Sequence, residues 1–242
     1  KKLMEVRDEE RGDRRVTAVF EDGTFEEGEV LVGCDGLHSR VRRSVLPDAP
    51  EPAYTGLISF GGFAQGVEVP GESGVQHMVF GRKAFFGYIV RDNGEVYWFG
   101  NQTVPGRPTR RELMAVPQEE WRRVLFGLYG GDPEPVLSIL RGTRGEIGVY
   151  PICDMLTVPR WHRGRTVLIG DAIHATSPNA GQGASLALED ALALARCLRD
   201  IGDPEASFRQ FEKMRRERVE KIVRYSRSIG QRKHATHPVQ VF

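Results

Sequence analysis

No apolar run in this 242-residue chain approaches the ~20 residues that a membrane-spanning helix needs. The charged opening Lys1-Lys2-Leu3-Met4-Glu5 carries no apolar signal-peptide core. Charge of one sign is missing as well. Thirty-four Lys and Arg stand against 33 Asp and Glu, so the balance argues against nucleic acid or an anionic membrane as a partner. Cysteine is scarce: Cys34, Cys153 and Cys197 lie far apart and form no C-x-x-C pair. An odd, scattered set reads as reduced thiols, small buried hydrophobes of a cytoplasmic protein. The length allows one large domain or two small ones, at roughly 100–200 residues each.

Hydrophobic patterning divides the chain into three textures. Arg15 to Phe20 alternates as a strand, Glu21-Asp22-Gly23-Thr24 supplies a hairpin turn, and a second strand is expected over Phe25 to Val30. Leu31-Val32-Gly33-Cys34 reads as a buried strand, followed by Asp35-Gly36 and a short arginine-rich helix from Ser39 to Val45. From Tyr54 to Gln102 aromatic and β-branched residues alternate with turn signals. Among them Asp92-Asn93-Gly94 separates Phe85–Val90 from Glu95–Phe99, which predicts an antiparallel sheet. Helices are predicted over Gln118–Tyr129 and Glu134–Arg141, with a further strand over Ile147–Ile152. The last third is helical. Ala187, Ala191, Leu194 and Leu198, with Leu188, Leu192 and Ala195 beside them, predict a broad apolar face packed on a sheet. Asp203-Pro204-Glu205 starts a second helix lined by Phe208, Phe211, Val219, Ile222 and Val223. The run Arg215–Arg218 reads as a solvated helix surface rather than an anion site, and the tail histidines His234 and His237 as a frayed end rather than a metal site. No metal site is assigned.

Chemistry concentrates in residues 165–190. A buried-strand run, Thr166 to Ile169, ends in Gly170-Asp171, crosses a loop carrying Pro178, Gly181 and Gly183, and opens a long helix. That order puts a carboxylate at a strand end and free backbone N–H groups at a helix start, a corner suited to a ligand with both hydroxyls and negative charge.

Two segments together resemble the single-component FAD-dependent aromatic hydroxylases. Leu31 to Arg42 is similar to the family's internal Asp-Gly motif. Gly170-Asp171 through His174, Pro178, Gly181-Gln182-Gly183 and Glu189-Asp190 is similar to its Gly-Asp motif. The resemblance implies an α/β fold: an incomplete Rossmann-like FAD-binding domain, residues 1–48 and 151–242, with an inserted α+β, antiparallel-sheet substrate domain over 49–150. It also implies roles. Asp171, after Gly170, would accept a hydrogen bond from a ribityl hydroxyl, the bland alternative being a cap on the following turn. Pro178 would lie against the isoalloxazine. Gly181, Gln182, Gly183 and Ala184 would turn backbone N–H groups to the flavin's pyrimidine edge, where a helix dipole favours negative charge. Asp35 and Gly36 would sit near the pyrophosphate. Arg42 would pair with either a phosphate or a surface carboxylate. His174 belongs to the motif's packing rather than to a general base. Substrate contacts would come from the sheet, with Phe86, Tyr88 and Trp98 as candidates. Two-residue alternation puts Phe86 and Tyr88 on one side, pocket or core being open.

For the complete protein the resemblance implies that NAD(P)H reduces FAD and that a C4a-hydroperoxyflavin hydroxylates an apolar, aromatic or polycyclic small molecule, with no catalytic acid or base assigned. A flavin reductase, a halogenase or a non-catalytic fragment are the alternatives. One departure stands out. The G-x-G-x-x-G fingerprint that holds a dinucleotide pyrophosphate occurs nowhere; Gly181-x-Gly183 continues into Leu186. The family's first βαβ unit is therefore expected upstream of Lys1, and this chain alone is expected to bind FAD weakly or not at all.

Overall fold

Turn chemistry and alternation set the first elements. In the computed structural model, which describes residues 1–8 and 15–232, strands β1 (Leu3–Asp8), β2 (Val16–Phe20), β3 (Phe25–Gly28) and β4 (Leu31–Gly33) precede helix α1 (Arg40–Val45). Strands β5 (Ala53–Ala64), β6 (Gln76–Phe80), β7 (Phe85–Val90) and β8 (Val96–Thr103) follow. Helices α2 (Arg110–Ala115), α3 (Gln118–Tyr129) and α4 (Val136–Gly142) lead into β9 (Thr143–Asp154). The chain continues through β10 (His162–Arg163), β11 (Thr166–Leu168), α5 (Asp171–His174), α6 (Gly183–Ile201) and α7 (Pro204–Arg232). His234 and His237 lie outside the described residues. Two compact units result: Lys1–Ala53 with Cys153–Ile229, and a second built on Tyr54–Ile152.

In the first unit the β2–β3 hairpin turns where the sequence places it. Asp22 Oδ1 accepts from the Thr24 backbone N–H at 3.0 Å, and Gly23 takes φ +80°, which a side chain would resist. β3 stops at Gly28, short of the expected Val30, and β1 adds a third antiparallel strand on β2. A second sheet has the order β10-β11-β4. Here β11 and β4 run parallel, Thr166 opposite Leu31 and Leu168 opposite Gly33. Parallel neighbours end on the same side, so the peptides after them, Asp35-Gly36 and Gly170-Asp171, are neighbours in space. Ligands of open parallel sheets bind at such strand ends.

Helices α6 and α7 close this core with Leu186, Leu194, Phe208, Phe211, Val219 and Val223. The buried side of α6 differs in phase from the sequence expectation. Leu186, Asp190, Leu194 and Cys197 face inward, while Leu188 and Leu192 are 69% and 66% exposed. A hydrophobicity pattern counts Asp190 as polar and turns it outward; the fold buries it, and the helix rotates accordingly.

The second unit is a five-stranded sheet of order β6-β7-β8-β5-β9, with β6, β7, β8 and β5 joined antiparallel. Helices α2–α4 contribute Leu113, Trp121, Leu125, Tyr129, Val136 and Ile139 to a core shared with Phe60, Phe86, Tyr88 and Trp98. The Phe86 ring stacks on Trp98 at 5.5 Å and meets Tyr129 edge-on at 5.2 Å.

The junction of β4, β11 and α1 leaves no room for a side chain at Gly33. An added Cβ would stand 2.6 Å from Leu168 Cδ2 and 2.8 Å from Val41 Cγ1. Gly33→Ala is expected to cost about 1–3 kcal/mol of stability through overpacking. Urea denaturation measures it, and an unshifted midpoint would contradict this packing.

Candidate functional site

The corner after β11 is built on a buried carboxylate. Gly170 adopts φ 57° and ψ −144°, and a Cβ there would come within 3.2 Å of Ala187 Cβ, so backbone and space both call for glycine. Its N–H donates to Asp190 Oδ2 at 2.9 Å. The same oxygen lies 2.5 Å from His174 Nε2, and Asp190 Oδ1 accepts from Arg215 Nε at 2.7 Å. Asp190 is fully buried. Desolvation pushes its pKa up, but hydrogen bonds and charge from His174, Arg215 and Gly170 outweigh it, and the carboxyl is held below its ordinary value. Arg215 also donates to Glu189 Oε2 at 2.6 Å, and Arg218 reaches both oxygens of Glu189 at 2.8 and 2.6 Å. Arg215, read from sequence as part of a solvated face, is thus an interior residue.

His174 is 4% exposed, with its ring 5.3 Å from that of Trp161. Its place is in this buried network, as the motif's packing implied.

Asp171 points the other way. It is exposed, and its carboxylate accepts no hydrogen bond from the described residues. The capping alternative is absent: Gly170 is the N-cap of α5, and no side chain caps that helix. Desolvation by the surrounding protein raises the Asp171 pKa, with His174 acting in the opposite direction.

Beyond α5 the chain makes a 3-10 turn over Pro178–Ala180, closed by the Gly181 N–H on the Pro178 carbonyl at 3.0 Å. Gly181 is left-handed, with φ 64°. Pro178, Gly181 and Ala184 are exposed; Gln182, the N-cap of α6, makes no side-chain cap bond. The N–H groups of Gly183, Ala184 and Ser185 have no acceptor among the described residues, and the first helical bond there runs from Leu186 N to Gln182 O. A 19-residue helix therefore presents its positive dipole end, about half a charge, beside exposed loop backbone.

The other motif is tied inward. Asp35 Oδ1 accepts from Ser39 Oγ at 2.5 Å, and Oδ2 accepts from the N–H groups of Arg40 and Val41 at 2.7 and 3.2 Å. Its carboxylate caps α1. Gly36 takes φ +80° beside open space. Arg42 does not pair with a surface carboxylate, one of the two partners expected for it. It is 1% exposed and donates to the carbonyls of Ala172, at 2.5 Å, and Leu37, at 2.8 Å. It pins α1 to α5, and so one motif to the other.

The three substrate candidates need correction. Phe86 and Trp98 are 0% exposed and Tyr88 is 4%, all on the helix-covered face, so the side left open by alternation is core. Trp98 Nε1 donates to Thr143 Oγ1 at 2.9 Å, and Tyr88 Oη to the Pro70 carbonyl at 3.2 Å. The intervening positions form the open face. Phe63 and Tyr97 are exposed with rings 5.3 Å apart, and Phe99 lies 5.9 Å from Tyr97 and from Phe85. The same alternation carries that signal at odd positions of β8. Among the described residues no group of three or more metal-ligating side chains occurs, and no helix is long and apolar enough to cross a membrane.

Residues 144–226, which hold the whole corner, match the FAD binding domain family. The chain is 34% identical over 216 residues to the aurachin C monooxygenase/isomerase of Stigmatella aurantiaca, covering 87% of this chain and 53% of that protein. It is 31% identical over 226 residues to the 6-hydroxynicotinate 3-monooxygenase of Pseudomonas fluorescens, covering 90% of this chain and 57% of that one. These matches support the FAD-dependent aromatic hydroxylase family. Its fold aligns with Klebsiella pneumoniae HpxO, solved with FAD and uric acid, at a TM-score of 0.86 and 26% identity, over 99% of this chain and 60% of that one. The chain thus spans about half the length of the curated relatives it matches.

The corner's outer ion pairs carry a pH signature. Arg218 and Arg215 hold the Glu189 carboxyl down to about 2, from an ordinary 4.5. A depressed carboxylate contributes stability above its unfolded pKa and loses it as pH falls through the folded one. The stability difference between wild type and Glu189→Gln is therefore expected to be constant above pH 4.5 and to narrow toward pH 2. Denaturant unfolding at stepped pH measures it, and a difference unchanged by acid would contradict the pairing.

Proposed function

We propose that the first unit holds FAD at the strand-end corner and that the whole protein is an NAD(P)H- and oxygen-dependent monooxygenase of a small aromatic or polycyclic molecule. The observation that carries this reading is the pairing of an unpartnered Asp171 carboxylate with the unpaired N–H groups of Gly183, Ala184 and Ser185. A polyhydroxyl chain attached to an electron-accepting ring needs both: an acceptor for its hydroxyls and a positive end for the ring's negative charge. The residues fit that group.

Bound there, FAD would supply electron transfer from the nicotinamide and activation of oxygen. The chain's own residues bind and orient. Asp171 accepts from a hydroxyl of the ribityl chain, and the α6 N-terminus favours negative charge at the ring edge. The Pro178 ring gives a rigid apolar contact, and Gly181 and Gly183 allow the backbone close approach. Asp35 and Arg42 serve at one remove, by shaping the Asp-Gly bend and tying it to the Gly-Asp corner. The second unit is read as the substrate domain, and its open aromatic face, with Tyr97 and Phe99, replaces Phe86, Tyr88 and Trp98 as the substrate wall. Rings of this kind stack on flat apolar molecules. Cys34 and Cys197 are free thiols, in keeping with a cytoplasmic protein.

Asp171→Ala tests the cofactor reading. Because Asp171 bonds to no described residue, folding stability should hold. FAD affinity should fall about 10- to 100-fold, the loss of a charged hydrogen bond. Flavin fluorescence titration of the whole protein and its variant reads it, and equal affinity in the two would sink the assignment. A second pair tests the sheet. Phe86→Ala is expected to cost about 3–5 kcal/mol of stability. Tyr97→Ala should leave stability nearly unchanged and raise KM for an aromatic substrate in the FAD-loaded enzyme. The reverse pattern would return the substrate wall to the helix-covered face.

A further inference from the structure

The corner and its loop present mostly backbone and small residues, so their shape has to be imposed from behind. Two buried contacts do so, and both come from α7. Ser226 is fully buried: its Oγ donates to the Ser177 carbonyl at 2.6 Å, lies 2.8 Å from Ser177 Oγ, and accepts from the Ala180 N–H at 3.2 Å. It thereby grips the 3-10 turn that carries Pro178 and ends at Gly181. Arg215 fixes the Asp190 carboxylate that receives the Gly170 N–H, and through Arg215 Nη2 it also touches the Leu186 carbonyl at 3.4 Å. Residues 215 and 226 are about three helical turns apart, so they share one face of α7.

We infer that α7 presets the cofactor-facing backbone, with Ser226 as positioning residue for the Ser177–Gly183 loop and Arg215, through Asp190, for the Gly170–Asp171 corner. This rests on the FAD reading above. Both side chains are buried; each sets where N–H groups and a carboxylate point. A buried donor deprived of its acceptor is costly, so the Ala180 and Gly170 amides report directly on the two grips.

Amide hydrogen exchange on the whole protein, followed by FAD titration, tests the inference. Ser226→Ala should speed exchange at Ala180 by about tenfold or more and weaken FAD binding by about tenfold, while β11 amides keep wild-type protection. Arg215→Lys retains charge but loses the forked geometry, and should act in the same way at Gly170. Unchanged exchange at Ala180 and Gly170 overturns the inference. So does a uniform rise across the unit, which would mean general destabilisation, or local loosening without loss of FAD affinity. A whole protein whose Asp171–Ser185 amides gain no protection with FAD instead sinks the cofactor reading itself.

Discussion

A carboxylate taken wholly out of water costs several kcal/mol unless donors replace its hydration, and Asp190 meets that condition with three: the Gly170 N–H, His174 and Arg215. Much of the first unit follows from meeting it. α6 must turn Asp190 inward, which sends Leu188 and Leu192 outward. α7 must bring Arg215 to within hydrogen-bonding distance, which seats Phe208, Phe211 and Val219 in the core. The strand end must deliver its N–H at Gly170, which only a glycine backbone achieves at that φ. Helix phase, helix packing and corner geometry are thus one constraint expressed three times.

The acidic residues of the two motifs divide their work by direction. The exposed Asp35 and the buried Asp190 both spend their oxygens within the protein, Asp35 on the Ser39 hydroxyl and backbone N–H groups and Asp190 on the Gly170 N–H, His174 and Arg215. Asp171 points outward with its oxygens free. The parallel pairing of β4 and β11 makes this division useful, since it brings an internally satisfied bend beside an externally unsatisfied one. Arg42 locks the arrangement by bonding across to Ala172. A guanidinium buried on carbonyls is a structural tie, and its depressed pKa reflects that desolvation.

Elements with strong local signals were legible before the fold. The Asp92-Asn93-Gly94 turn, β7 and the amphipathic α3 stand where alternation and helical spacing put them. β1 was not, because no residue of Leu3–Asp8 is fully buried, the half-buried Leu3, Glu5 and Val6 do not alternate, and the segment becomes a strand through pairing with β2. α2 escaped notice although its signal is present: Thr109 and Glu112 form a reciprocal capping box. At the candidate site, the motif points to Asp171, Pro178 and the glycine loop as the proposed cofactor contacts, whereas nothing in it points to Ser226 and Arg215. They sit far along α7, and only tertiary packing brings them behind the corner. Strand parity shows the same limit. It groups Phe86 with Tyr88 but carries no information about which face the helices cover.

Energetics indicate what such a corner can do by itself. A hydrogen bond to an ionised carboxylate contributes about 1.5–3 kcal/mol, and a helix dipole adds about 0.3–1 kcal/mol. Together these amount to about 2–4 kcal/mol, against about 4 kcal/mol for even millimolar affinity. The polar contacts of the Gly170–Asp171 corner therefore orient a flavin more than they retain it. Retention in dinucleotide folds comes from a glycine-rich turn that cradles the pyrophosphate, and no such fingerprint occurs among these 242 residues. Orientation and retention are thus physically distinct, and the α7 grips act on the first and, in the second, only on the share of affinity that the corner supplies. Loosening them degrades the geometry of the ring site while leaving any pyrophosphate contact untouched.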